Sequence, residues 1–313
     1  MIVKPENMSF DDKKFSMILY GSPGVGKTTL ALSAPDPVLI DFDRGMSRVK
    51  AQHRKPAIFC NTYEEVLKDL SSPDMMEFQT IVVDTGGSFV TYLQDWAMRV
   101  NPTVNRQKNG ALSLKGFGAV KQECIRFTSY VKDTLNKNLI YVFHSQEQQD
   151  RDGNPQQRLM CEGAFRNVVW TPCDFGGYVQ MIGDKRYVCF SPEQEYFAKH
   201  CHGVEGRIEI PELGPNVINN FIAKEVFDKA KANIAAEAEA FELAKKQYEL
   251  VMNTVREMVN TVVDIETANR AAKDIPTLAH ALTSKKEASA MLKEKADSLG
   301  LKYTKEGYVR KEA

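Results

Sequence analysis

The stretch Gly21-Ser22-Pro23-Gly24-Val25-Gly26-Lys27-Thr28 completes a G-x-x-x-x-G-K-[ST] pattern, and no other segment constrains the fold as tightly. It follows Phe15-Ser16-Met17-Ile18-Leu19-Tyr20, an apolar run of strand character. It precedes Thr29-Leu30-Ala31-Leu32-Ser33, which reads as a helix that Pro35 and Pro37 stop. A strand, a glycine loop and a helix in that order place backbone N–H groups around a polyphosphate, with the helix N-terminus adding positive potential. Lys27 then supplies a point charge to the β- and γ-phosphates, and the Thr28 hydroxyl is placed to ligate Mg²⁺. Residues 21–29 are therefore the expected nucleotide-binding segment.

Up to about residue 212 short apolar strands alternate with helical stretches, the pattern of a mainly parallel sheet covered on both faces. Strands are expected at 15–20, 37–42, 57–60, 79–84 and 138–143, and a hairpin at 177–182 and 186–190. Two polar segments, 101–110 and 146–158, read as long loops, which in a compact domain usually carry function. After Pro211 and Gly214 the chain becomes rich in alanine, glutamate and lysine. Phe227, Ala230, Ile234, Phe241, Ala244, Tyr248, Val251, Val255, Met258 and Val262 recur at helical spacing, with Glu237 breaking the seam. A long helix over 221–265 is expected, then a second from Thr277 to about Ser298 folding back on it, as a hairpin on the core or a self-association seam. The expected division is an α/β nucleotide-binding domain over 1–212 and a helical domain over 213–313.

Lysine plus arginine equals aspartate plus glutamate, 41 of each, so any surface for nucleic acid must be local rather than global. No apolar run approaches a membrane span and the N-terminus does not read as a signal peptide, so the expected setting is cytoplasmic. Six scattered cysteines without a C-x-x-C pair read as free thiols, and His200-Cys201-His202 as a plain loop.

The second half of a nucleotide site is a carboxylate ending a hydrophobic strand. Thr80-Ile81-Val82-Val83-Asp84 provides it, making Asp84 the candidate that holds Mg²⁺. Thr85-Gly86-Gly87 follow, so the glutamate that AAA+ ATPases place after the metal aspartate is missing. The strand Val38-Leu39-Ile40-Asp41-Phe42-Asp43 offers two carboxylates on one face. Asp43, nearer the strand end, is the better base for the attacking water; the other reading is a cap for the turn at Arg44-Gly45. No guanine-recognition motif is visible, which favours ATP over GTP.

With Val142-Phe143-His144-Ser145-Gln146 added, these motifs resemble the RecA-like recombination ATPases, and more narrowly the phage-encoded P-loop proteins that serve in single-strand annealing or recombination. The resemblance spans roughly residues 13–210. It implies an α/β RecA-like core with a C-terminal helical extension, ATP and Mg²⁺ as cofactors, and hydrolysis by an oligomer with ATP between subunits. It also implies Gln146 as γ-phosphate sensor leading into a DNA-binding loop, and trans-acting cations at Lys185, Arg186 or Lys199. The sequence departs from the family in carrying Asp43 where RecA has glutamate, and His144 where RecA is apolar. His144 reads either as a phosphate donor or as a buried imidazole.

For single-stranded DNA the candidates are Arg106, Lys108 and Lys115 around the first polar segment and Arg151, Arg158 and Arg166 in or after the second. Phe117 and Phe165 are candidates for base stacking, and the basic end (Lys302, Lys305, Arg310, Lys311) for auxiliary contact. Two other readings stay open. One is a small-molecule P-loop kinase. The other is a nucleotide-dependent scaffold whose long helix docks a single-strand-binding or host replication protein.

Overall fold

The computed structural model describes Phe10, residues 12–214 and residues 217–311. It divides into two compact units, 1–233 and 234–313.

In the first unit, β1 (Ser16–Gly21) leads through the glycine loop into α1 (Lys27–Ala31), then β2 (Pro37–Asp41) and β3 (Ala57–Ile58). There follow α2 (Tyr63–Leu70), β4 (Thr80–Asp84), α3 (Gly86–Val100), α4 (Pro102–Asn105) and α5 (Leu114–Ser129). Next come β5 (Asn138–Gln149), β6 (Pro155–Leu159), α6 (Gly163–Trp170), β7 (Phe175–Ile182), β8 (Lys185–Cys189) and β9 (Arg207–Ile210). The sheet order is β3-β2-β4-β5-β1-β7-β8-β9, with β6 paired to β5 alone. Strands β1 to β5 and β7 run parallel, while β8 and β9 are antiparallel. Parallel strands of this kind are covered on both faces, so they read as continuous apolar runs rather than alternating ones. On one face Ile18, Tyr20, Ile40, Val83, Tyr141 and Phe143 join a core with Tyr63, Phe89 and Phe127 from the helices. The opposite face carries Met17, Leu19, Leu39, Val82 and Ile140, also fully buried. Each such side chain removed from water contributes about 1.5–3 kcal/mol.

The unit boundary falls about twenty residues later than the composition change suggests. Residues beyond 212 still belong to the first unit because their apolar groups finish its core. The Phe227 ring lies 5.2 Å from Phe15, and the Ile222 and Ala223 N–H groups donate to the Ser33 hydroxyl and carbonyl at 2.8 and 3.1 Å. Helix α7 (Lys229–Asn260) then runs on into the second unit. There α8 (Ile265–Asp274), α9 (Ser284–Ser298) and the hairpin β10 (Leu301–Thr304) and β11 (Gly307–Arg310) enclose a separate core around Val251, Val255, Leu292 and Tyr308. The helix expected from Thr277 begins later, as α9 at Ser284, and an additional helix, α8, precedes it where Asp264 and Thr267 form a capping box. The seam is split as well: its two ends are buried in different units, whereas Phe241 is half exposed. No described helix is long and apolar enough to cross a membrane.

The second polar segment is not a loop. Residues 146–158 form the outer part of the β5–β6 hairpin, with Gln146 opposite Arg158 and Gln149 opposite Pro155. Its turn is built by Asp150, whose carboxylate accepts the Asp152 and Asn154 N–H groups at 2.9 and 2.8 Å, and by Gly153 at φ 86°. Those backbone bonds hold the Asp150 carboxyl below its ordinary range. The extension is polar throughout, so it carries no hydrophobic alternation by which a strand is recognised. The first polar segment is partly ordered too, by α4 and a bridge between Arg106 and Leu112.

Candidate functional site

Strand register brings the chemistry to one edge. Gly21 pairs with His144, Asp41 with Asp84, and Asp84 with Val142, so the carboxyl ends of β1, β2 and β4 lie level with the middle of β5. Strand β5 stands between β1 and β4, so the glycine loop and Asp84 come from strands that are not neighbours.

The loop itself is shaped by glycine. Gly24 and Gly26 take φ of 78° and 92°, and a Cβ at Gly21 would run into the Val179 carbonyl oxygen. Ser22, Pro23 and Gly24 form the exposed rim, whereas Val25 is buried and anchors the loop. The Lys27 side chain is buried, and its ammonium donates to the Ser22 carbonyl at 2.7 Å. Burial lowers its proton affinity to about 8, opposed by the nearby Asp84 carboxylate. Asp84 is pushed up to about 6, first by burial; the Thr28 hydroxyl, which donates to it at 2.5 Å, works against that shift.

The two candidate carboxylates on β2 divide their work. Asp41 is the turn cap: it accepts the Gly45 and Met46 N–H groups at 2.7 and 2.8 Å. Asp43, two residues past the strand end, also lines the cleft and is free of that turn. Its carboxylate accepts the Ser88 hydroxyl and, at 3.4 Å, the Thr85 hydroxyl. Thr85 is also the N-cap of α3, which accounts for threonine where a glutamate was looked for. Gly86 follows because the Phe143 ring fills the space a Cβ would need.

A cleft of about 160 Å³ joins Lys27, Thr28, Asp41, Asp43, Asp84 and His144. A wider cavity of about 610 Å³ shares Asp43, Thr85 and His144 with it and extends to Gln146, Gln148 and Arg166. His144, Gln146 and Gln148 sit on alternate positions of β5 and so share that face. His144 is half-buried, its Nδ1 has no hydrogen-bond partner among the described residues, and burial and then Lys27 lower its proton affinity. It is a cleft residue rather than a satisfied core imidazole. Arg48, which sequence reasoning missed, also lines the cleft from the turn after Asp41-Phe42-Asp43. Its only sequence signal was proximity to those carboxylates.

The donor set suits Mg²⁺. A hydroxyl and a carboxylate are hard oxygen ligands, and Mg²⁺ is commonly held by one or two protein oxygens with phosphates and water filling the rest. No cluster of three or more His, Cys, Asp or Glu able to hold a metal occurs among the described residues. Asp84, buried and in no ion pair among the described residues, is the group that a bound cation would stabilise.

The expected trans-acting cations part company. Lys185 is exposed and paired with Glu209 at 3.0 Å. The Lys199 ammonium donates to the Thr171 carbonyl at 3.2 Å, just before β7 begins and so at the end of the sheet away from the glycine loop. Arg186 lies against the loop of its own chain: a Cβ at Gly26 would stand 3.1 Å from the guanidinium carbon. It lines a cavity of about 260 Å³ on the far side of Thr29, together with Leu30, Ile210 and Phe221. The register explains this, since β7 runs parallel to β1 and its hairpin turn opens beside the loop. An Arg186→Ala protein is therefore expected to bind ATP about tenfold more weakly, about 1.4 kcal/mol. Mixing it with Lys27→Ala protein is expected not to restore hydrolysis; restored turnover would assign Arg186 to the neighbouring subunit.

Among the DNA candidates, Arg106, Lys108 and Lys115 are exposed and line neither the cleft nor the cavity beside it. Arg151 is exposed at the β5–β6 turn, Arg158 lies on β6 and Arg166 on α6. Phe165 is buried in the core and unavailable for stacking, while Phe117 remains nearly half exposed. On the basic C-terminal end, Lys311 is paired with Asp297 at 2.9 Å.

A glycine loop after the first strand, an acidic strand one place removed, and a sheet extended by antiparallel strands define a P-loop NTPase core of the RecA-like class. The AAA domain family AAA_24 matches residues 13–202, more than half of the chain, and the chain belongs to that family. No curated protein matches it. Similar solved structures include a KaiC-like protein from Pyrococcus horikoshii OT3, at 12% identity and TM-score 0.35 over 63% of this chain and 89% of that one. The flagellar accessory protein FlaH from Methanocaldococcus jannaschii has 8% identity and TM-score 0.33, over 63% and 90% of the two chains. The solved ATPase domain of a third protein has 13% identity and TM-score 0.32, over 63% and 80%.

Proposed function

We propose that this chain is an ATP-hydrolysing RecA-like protein that binds single-stranded DNA and promotes annealing or recombination as a homo-oligomer. The observation that carries the reading is the continuity of the nucleotide cleft with a cavity walled by Gln146 and Gln148 of the β5–β6 hairpin and by Arg166 of α6. In this scheme residues 21–29 wrap the phosphates and Lys27 neutralises the γ-phosphate. Thr28 and Asp84 hold Mg²⁺, which when bound would neutralise phosphate charge. Asp43 orients and deprotonates the attacking water. His144 and Gln146 face the γ-phosphate from β5, and the hairpin carries the cations toward DNA.

The test is a titration of labelled oligo-dT at low salt, with and without ATP–Mg²⁺, paired with ATP turnover. Micromolar or tighter binding, strengthened by ATP and weakened by salt, is the expected result. Absence of binding in both conditions overturns the DNA part of the proposal. ATP binding without turnover would overturn hydrolysis and favour a scaffold.

A further inference from the structure

Arg158 and Arg166 stand side by side away from the nucleotide cleft, and neither forms an ion pair among the described residues. The Nε of each is buried without a hydrogen-bond partner among the described residues. Among the described residues the acceptors that hold Arg166 are neutral, the Gln148 side chain at 3.2 Å and the Cys161 carbonyl at 3.4 Å. The Arg158 guanidinium carbon lies 3.9 Å from the Phe197 ring centroid. Burial, and then Arg166, depress the proton affinity of Arg158.

Carboxylates on the same hairpin form no ion pair with these arginines, and Asp150 reaches Arg158 only as a weaker charge than Arg166. Asp150 is spent on its own turn, and Glu147 faces Gln157. Two adjacent, partly desolvated guanidinium groups without an acid are unfavourable unless an anion joins them. Between them lies a slot of about 150 Å³ with aromatic walls from Tyr20, Trp170 and Phe197 and an amide at Asn167. The Tyr20 hydroxyl donates to the Phe197 carbonyl at 2.6 Å, and its ring meets Trp170 edge-on at 6.1 Å, so the walls brace one another.

An anion site whose walls are planar rings and whose cations are forked suits a phosphate with an attached base better than a free inorganic anion. We propose that this slot holds one phosphate of a single-stranded DNA chain between Arg158 and Arg166, with the adjoining base against Phe197 and Trp170. The assignment rests on the single-stranded DNA reading above and narrows it. Of the six cations considered from sequence, these two form the built site, and the stacking rings are Phe197 and Trp170 rather than Phe117 and Phe165.

The experiment is oligo-dT anisotropy over a salt series with the full chain, comparing wild type, Arg158→Ala, Arg166→Ala, the double variant, Arg158→Lys and Trp170→Phe. Circular dichroism melting checks that each variant folds. Each alanine variant should weaken binding about tenfold. The double variant should lower the log–log salt slope by about 0.7 in total, because both arginines serve one phosphate. Arg158→Lys should fall between wild type and alanine, and Trp170→Phe should lose several-fold affinity at unchanged slope. Wild-type binding with an unaltered double variant overturns the slot and leaves the DNA reading standing. Failure of the wild type to bind overturns both. Competition by inorganic phosphate at concentrations that match the oligonucleotide's phosphates would reassign the slot to free phosphate and overturn the proposal.

Discussion

A Lys27→Ala protein is expected to lose ATP hydrolysis by at least about 10²–10³-fold, equivalent to about 3–4 kcal/mol of transition-state stabilisation. The ammonium is buried and makes one hydrogen bond, to the Ser22 carbonyl at 2.7 Å. It faces Asp84 and Thr28 across the same small cleft. A cation held there is desolvated before the nucleotide arrives, so a phosphate recovers much of what burial costs. Removing it takes away that recovery but leaves the fold intact, because Lys27 is in no ion pair among the described residues. Phosphate release and titration with a fluorescent ATP analogue should both fall, while the melting midpoint stays near wild type. Wild-type turnover in this variant would remove the glycine loop from the reaction.

The second large effect is expected at Asp43. Asp43→Asn keeps the size of the side chain and an oxygen to accept from Ser88 and Thr85, so nucleotide binding should change only a few-fold. It cannot take a proton from water, and hydrolysis should drop by about 10²–10⁴-fold. Asp43→Glu places a carboxylate one methylene further into the same cavity and should keep measurable turnover. Equal turnover in wild type and Asp43→Asn would mean that Asp43 only orders the start of α3, and that the base lies elsewhere. Measuring binding and turnover on the same preparation separates the two roles.

Much of the core could be read in advance because parallel, doubly covered strands leave unbroken apolar runs. Strands β1, β2, β4 and the inner half of β5 fall close to where the runs Met17–Tyr20, Val38–Ile40, Ile81–Val83 and Leu139–Phe143 place them. The outer half of β5 and β6 could not be read that way. Gln146, Gln148, Gln156 and Gln157 are polar on both faces, and it is their mutual pairing that makes them strands. The boundary near 233 was hidden for a related reason. Phe221, Ile222 and Phe227 have helical spacing, which does not tell which unit buries them.

The site shows the same division. Glycines at positions that require positive φ, the Lys27-Thr28 pair and an aspartate ending an apolar strand are local patterns, so the amino-acid sequence by itself placed the glycine loop and an aspartate at one edge of the sheet. Both Asp41 and Asp43 line the cleft, and which of them is left free of the turn was decided by two backbone N–H groups, at Gly45 and Met46, that occupy Asp41. The placement of Arg186 on its own loop, of Lys199 at the other end of the sheet, and of Arg158 beside Arg166 came from strand order and hairpin closure. Local geometry is written in neighbouring residues. The meeting of residues far apart in the chain is set only when the sheet chooses its order and register.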